Sequence, residues 1–287
     1  MAVGLALVAA LFLALGSVLQ QKGTLETSAG ADDPRFLVQM LRRPVWLAGA
    51  VSQATGWVLQ AAALDRGPLA LVQSLTMLNL VFALPLGARL TGQRITRRVA
   101  LGALGVVVGV SLFVSVGSPA KGTGNPSAAE WWGACLSALV LVVIFVYIGR
   151  RFQGARRAAL LGTAAGFAFG LQGAVTKYFV TLIGSGVVAL LTTWSSYVLI
   201  LSALVGLALQ QSALKTGVLA PAIGSANVMT LLTGVFLGIT VFDESLQSGS
   251  GSQVPAAIGL LLAVVGVGLL AASDAAGPPA SNPPDSG

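Results

Sequence analysis

The sequence predicts an all-α, polytopic membrane protein of about nine transmembrane helices in two repeats of opposite topology. Three observations predict it. Of 287 residues, 55% are hydrophobic and only 9% charged, where a soluble domain carries about a quarter charged residues. Apolar runs of the ~20 residues that cross a bilayer recur along the chain, and the mean hydropathy is +0.88. A stretch near residue 60 is echoed 150 positions later.

The elements follow from apolar windows between charged or turn-rich breaks. They fall at 2–20, 45–64, 68–88, 98–117, 131–149, 158–182, 187–210, 217–241 and 254–272. The first run lacks a basic leader, and its polar exit at Gln20, Gln21 and Lys22 is no small-residue cleavage site, so it reads as a helix and not a signal peptide. Pro68 and Pro255 sit near helix starts, where the missing N–H costs nothing. Pro85, and Pro221 with Gly224, lie inside helices and loosen the backbone there. Glu130, Trp131 and Trp132 fit an interfacial belt. Residues 273–287, rich in Pro and Ser, read as a disordered tail.

Charge sets the orientation. With nine alternating helices, Lys22, Arg35, Arg42, Arg43, Arg89, Arg94, Arg97, Arg98, Arg150, Arg151, Arg156, Arg157 and Lys215 share one side. The other holds Arg66, Lys121 and, near a helix end, Lys177. The positive-inside rule then places the protein in the plasma membrane with the N-terminus outside and the C-terminus in the cytoplasm. The net charge of +7 is read through this asymmetry, with the lipid bilayer and not nucleic acid as the partner.

Residues 56–79 and 206–229 align without gaps. Matches fall at Gly56/Gly206, Leu59/Leu209, Gln60/Gln210, Ala63/Ala213, Leu64/Leu214, Gly67/Gly217, Leu69/Leu219 and Ala70/Ala220. These eight exceed the roughly 2–3 that chance gives in so Leu/Ala/Gly-rich a chain. The paired glutamines weigh most, because Gln is costly in lipid. The organisation read from this is a four-helix repeat over 1–117, a linking helix with its loops over 118–157, a second repeat over 158–272 and the tail. The two copies enter the membrane from opposite sides, a signature of alternating-access carriers with a midplane site.

Candidate site residues are the polar groups within the spans. Gln60 and Gln210 are the repeat-related amides, and Gln73, Thr76 and Asn79 form a stripe at helical spacing. Gln172 and Asn227 add amides in the second copy. For the Gln73–Asn79 stripe and Asn227, interhelical packing and cavity lining are even readings; both a polar solute and a hydrated ion need such donors and acceptors. Trp194 and Tyr197, three apart, serve either as a stacking surface for a substrate or as an interfacial anchor. Lys177 lies within a turn or two of a helix end, where snorkelling is expected and an anion or counter-ion site is the functional alternative. Asp65, Asp243 and Glu244 are at helix ends, so no carboxylate is expected at mid-membrane and simple proton antiport is disfavoured.

Other classes are excluded by composition. There is no His, and Cys135 is the one Cys, so Cys/His metal sites, His-ligated haem and Ser–His or Cys–His nucleophiles cannot be built within the chain. With no Walker loop and no general acid–base set, the expectation is neither an ATPase nor any other enzyme, and no cofactor. Gly105 and Gly109, with Gly259, Gly266 and Gly268, give 98–117 and 254–272 small faces suited to contact within a monomer or in a homodimer.

At these residues the chain resembles the drug/metabolite transporter superfamily. The resemblance rests on "GWVLQAAALDRGPLALVQSLTMLNLVFALPLGARLTGQRITRRVALGALGVVVGVSLF" and, in the second copy, "ALQQSALKTGVLAPAIGSANVMTLLTGVFLGITVFDESLQ". It spans residues 2–272; nine helices, an outside N-terminus and "LALGSVLQQKG" look most like the NIPA-type magnesium transporters, with EamA-type exporters as neighbours. It implies helical repeats around a central cavity, alternating access, and a small polar solute or an ion such as Mg²⁺ as cargo. The superfamily often has an acid at the end of each repeat's third helix. Glu244 fits that pattern and is the candidate metal ligand, whereas Ala88 and Arg89 stand in the first copy with no acid. The alternative of another class is a membrane scaffold or accessory subunit, which a dry, Leu-filled centre would favour.

Overall fold

A computed structural model describes residues 1–26, 39–90, 96–117, 119–120, 126–246 and 253–272. The expected tail at 273–287, and Arg35, Arg94 and Lys121 of the loops, lie outside the described residues. The fold is all-helical apart from one two-residue bridge. In chain order the helices are α1 (Ala2–Leu25), α2 (Pro44–Arg66), α3 (Leu69–Thr76), α4 (Asn79–Leu90), α5 (Arg97–Gly117), α6 (Ala128–Gly149), α7 (Gly154–Val180), α8 (Val187–Thr192), α9 (Trp194–Leu214), α10 (Leu219–Phe242) and α11 (Gln253–Ala272). Strand β1 (Pro119–Ala120) pairs antiparallel with β2 (Ser245–Leu246).

Seven of the described helical stretches are long and apolar enough to cross a membrane, with α3 and α4 together counting as one. Helices satisfy their own backbone, the condition for a chain in hydrocarbon. The ends are fixed by local chemistry. Ser127 and Glu130 form a reciprocal capping box at the start of α6. Pro44 opens α2 at a position where its missing N–H is harmless. α10 stops because Asp243 adopts the left-handed conformation (φ 51°) and the Glu244 N–H closes onto the Gly238 carbonyl at 2.9 Å. That stop folds Glu244 back beneath the helix.

Packing concentrates in a few seams. α1 lies along α2, α5 along α11, and α7 along both α9 and α10. α7 is the most enclosed, 72% of its most apolar window being buried, whereas α6 is the most peripheral at 17%. Glycines set the close seams. A Cβ on Gly109 would stand 2.4 Å from the Ala263 nitrogen, and one on Gly266 2.7 Å from the Gly102 carbonyl oxygen. The faces on 98–117 and 254–272 expected to serve a monomer or a dimer thus pack on each other within the chain.

Three expected helices differ from those observed. The run 2–20 continues to Leu25, so Gln20 and Gln21, read as a polar exit, lie inside the helix and are buried. The helix 68–88 breaks at Met77 and Leu78, dividing α3 from α4. The interruption is a tight turn in which the Met77 carbonyl accepts from the Leu80 N–H at 3.2 Å and also from the Asn227 side-chain amide at 3.5 Å. The run 187–210 starts as the short α8, and the long helix begins only after Thr193, whose extended conformation interrupts it.

Candidate functional site

The break between α3 and α4 opens onto a cavity of about 70 Å³ walled by α1, α2, α3, α4, α7, α9 and α10. Gln60, Gln73, Thr76, Asn79, Gln172, Gln210 and Asn227, singled out from the sequence, all line it. Helix spacing alone does not bring them together. Gln60 and Gln73 lie on consecutive helices joined through Gly67 and Pro68, Gln172 and Gln210 come from α7 and α9, and Asn227 comes from α10.

The amides form a partly connected network. Gln60 Nε2 donates to Gln73 Oε1 at 3.4 Å, and the Thr76 hydroxyl donates to the Gln73 carbonyl oxygen at 3.0 Å. Asn227 donates from its side chain to Asn79 Oδ1, so each half of the broken span is tied to α10 or α2 by an amide. Gln210 Nε2 reaches Ser17 Oγ at 3.5 Å. Gln73 is the pivot, only 2% exposed. Gly173 and Gly234 make room for it: a Cβ on Gly173 would stand 2.0 Å from Gln73 Nε2, and one on Gly234 2.6 Å from Gln73 Cγ. Three buried amide atoms in this wall have no hydrogen-bond partner: Gln53 Oε1, Gln73 Nε2 and Gln210 Oε1.

Two aromatic rings complete the wall. Trp57 and Phe169 line the cavity with ring centroids 6.3 Å apart, and Phe169 rests on Gly206, where a Cβ would come within 2.6 Å of its ring. The expected stacking residues are elsewhere. Trp194 stacks on Tyr178 at 5.6 Å and packs on Trp131 at 5.0 Å, away from the cavity lining. Tyr197 is 64% exposed and donates to the Leu191 carbonyl oxygen at 3.0 Å. Both lie in the first turn of α9, just after the break at Thr193. Within the expected belt, Trp132 is exposed while Trp131 is buried among other aromatic rings.

Lys177 does not snorkel. It is buried and ion-paired with Glu244, and its ammonium lies 4.4 Å from the centre of the Phe242 ring. The same carboxylate accepts from the backbone N–H groups of Leu69 (2.6 Å) and Ala70 (3.0 Å) at the start of α3. The turn at Asp243 brings Glu244 there, an effect that spacing does not reveal. With both oxygens engaged by donors, Glu244 is not presented as a metal ligand, and no group of three His, Cys, Asp or Glu that could hold a metal occurs among the described residues.

At the opposite end of the bundle a second buried polar layer joins α1, α2 and α9. Trp46 Nε1 donates to Gln211 Oε1 at 3.3 Å, and the Gln211 amide donates to Gln20 Oε1. Lys215 Nζ donates to the Thr24 carbonyl oxygen at 3.0 Å, and burial pushes its pKa down. Sequence reasoning missed this layer, although Ser17, Gln20, Gln21 and Thr24 recur at helical spacing on one face of α1. It also passed over Trp57 as a cavity residue, and noted Gln53 as a polar group of the second helix without counting it a site candidate, although it sits seven residues before Gln60 on the same face.

A wider cleft of about 310 Å³ lies between α6, α7 and α10, but Ser137 and Thr233 are its only hydroxyl-bearing lining residues. Its Leu, Phe and Ala walls offer no set of directional partners, so the smaller amide-lined cavity is the candidate site.

No protein-family model matches the chain, and no solved structure matches it. The chain is similar to an uncharacterised protein of Corynebacterium glutamicum, 29% identical over 267 residues that cover 92% of each chain.

Proposed function

We propose that this membrane-embedded chain is a carrier of the drug/metabolite transporter type, moving a small polar solute or ion by alternating access. The observation that carries the reading is the polar cavity at the interruption of a membrane helix. Broken spans are tolerated in a bilayer where they line a cavity, and carriers place their sites at such breaks. A dry, Leu-filled centre would have favoured a scaffold; the centre here is lined by amides and hydroxyls.

The packing supports nine spans in two inverted repeats. Pairing spans one to four with six to nine makes the α1–α2 seam correspond to α7–α9, and the α1–α4 contact to α7–α10. The minor contacts α2–α7 and α1–α9 exchange under the same operation, and α5–α11 and α3–α10 map onto themselves. Gly56 packs against Leu13 of α1, and its counterpart Gly206 against Phe169 of α7. On this reading the chain lies in the plasma membrane with its N-terminus outside, the Glu244 end faces outward, and the Gln211 end faces the cytoplasm. It carries out no covalent chemistry.

Alternating access requires the cavity to open to each side in turn. In a Cys135→Ser background, Asn79→Cys is expected to react with a membrane-impermeant maleimide applied from either face of sealed vesicles. Exposed Arg66→Cys and Arg151→Cys report each face alone. Reaction of Asn79→Cys from one side only, or from neither, would overturn the carrier reading. In flux assays, Asn79→Leu and Asn227→Leu are expected to abolish transport while the protein remains folded.

A further inference from the structure

We infer that the cavity takes an uncharged solute carrying both N–H donors and a carbonyl acceptor, a small amide or urea. The inference rests on the carrier reading and deepens it. Its first ground is electrical. Eighteen residues line the cavity and none is ionisable: the polar ones are Gln, Asn, Ser and Thr, and the rest are apolar or aromatic. The nearest buried charges, Lys177 and Glu244, are engaged with each other and with the start of α3. An anion would meet no cationic side chain there. A divalent cation would meet only neutral dipoles, poor compensation for the water it must shed.

The second ground is the unused hydrogen-bonding capacity. Gln53 Oε1 and Gln210 Oε1 are buried acceptors and Gln73 Nε2 is a buried donor, all without partners, and their side chains are 6%, 6% and 2% exposed. An amide group has donors and an acceptor fixed in one plane, the complement of such a set, and rotation of a Gln amide exchanges its two roles. Amides are also the groups whose loss is best discriminated, because a solute lacking a partner leaves buried polar groups unpaired.

The third ground is size and shape. A cavity of about 70 Å³ has room for ~5 waters, well short of the several hundred Å³ of drug-sized pockets. Trp57 and Phe169 supply flat apolar surface against which a planar group can lie. A solute the size of acetamide or urea fills this space; a drug does not.

The test uses the purified full chain in liposomes, with empty liposomes as the reference. Stopped-flow light scattering follows acetamide and urea, and separate assays follow Mg²⁺, methylammonium and acetate. The expected result is acetamide or urea flux at least tenfold above empty liposomes, inhibited by formamide and not by methylammonium or acetate. Gln73→Leu is expected to lower it at least tenfold, with Gln210→Leu as a second variant should the first fail to fold. Flux of an ion without amide flux overturns the amide assignment and leaves the carrier reading in place. If no probe moves, the amide assignment falls, and the labelling of Asn79→Cys decides the carrier reading separately. Amide flux that both folded Leu variants leave unchanged overturns the site.

Discussion

The bundle is closed by different chemistry at its two ends, on either side of the cavity. At one, an ion pair between Lys177 and Glu244 is buried beneath the Phe242 ring and tied to the start of α3. At the other, neutral groups do the same work: Trp46, Gln211 and Gln20 are linked by hydrogen bonds between α2, α9 and α1. The contrast teaches that closure by charge is an all-or-none arrangement, whereas closure by amides degrades gradually. A buried ion deprived of its partner must bear its desolvation or give up its charge, while an orphaned amide loses only a bond's worth of desolvation.

The sharpest way to break the contrast is therefore at the charged end. Glu244→Gln removes the charged partner of the buried Lys177 ammonium, and Lys177→Met leaves the buried carboxylate with the Leu69 and Ala70 N–H groups but without its counter-charge. Each is expected to destabilise the protein by about 3–5 kcal/mol. The double variant is expected to recover much of that loss, because no lone charge remains. Thermal melting of the purified protein in detergent checks this; single and double losses that simply add would mean the pair is not coupled.

Glycines next to each closure provide the second comparison. A Cβ on Gly23 would stand 2.6 Å from the Trp46 Cβ and 3.0 Å from its Cα, so α1 and α2 must separate to admit it. A Cβ on Gly238 would stand 2.6 Å from Glu244 Oε2, the end of a side chain. Overpacking against backbone costs about 1–3 kcal/mol, so Gly23→Ala is expected to lower stability by that much. Gly238→Ala is expected to cost less if the carboxylate shifts, and to weaken its hold on the Ala70 N–H. Gly133→Ala, which meets nothing within 4 Å, is the control and is expected to be neutral or slightly stabilising.

The same contrast explains what was legible from sequence. The spans were, because hydrophobic length is a local property of the chain. Gln60, Gln73, Thr76, Asn79, Gln172, Gln210 and Asn227 stood out because a polar group within an apolar run must find a partner, and they converge on one cavity. Lys177 was misread because its partner lies 67 residues away and reaches it through the left-handed turn at Asp243. The break at Met77 was hidden for a similar reason. No Pro or Gly stands there; the turn is supported by the Asn227 amide, 150 residues on, which donates to the Met77 carbonyl. Trp194 and Tyr197 share the first turn of α9, as their spacing implies, but spacing does not tell that this turn lies away from the cavity lining.

The neutral end is expected to respond less than the charged one. Gln211→Leu removes both the acceptor of the Trp46 indole and the donor to Gln20. The indole N–H is then buried without a partner, at a cost of about 1–3 kcal/mol. Adding Trp46→Phe and Gln20→Leu removes the orphaned groups and is expected to restore most of the stability, since an apolar layer of similar shape replaces the polar one. Melting curves of the single and triple variants check this. Restoration at this end would also have a functional consequence under the carrier reading. An apolar layer that holds α1, α2 and α9 together without hydrogen bonds to exchange should slow opening toward the cytoplasm, so Asn79→Cys in the triple variant should label more slowly from that side. Unchanged labelling would mean that the Gln20–Gln211–Trp46 layer holds the fold together and does not gate it.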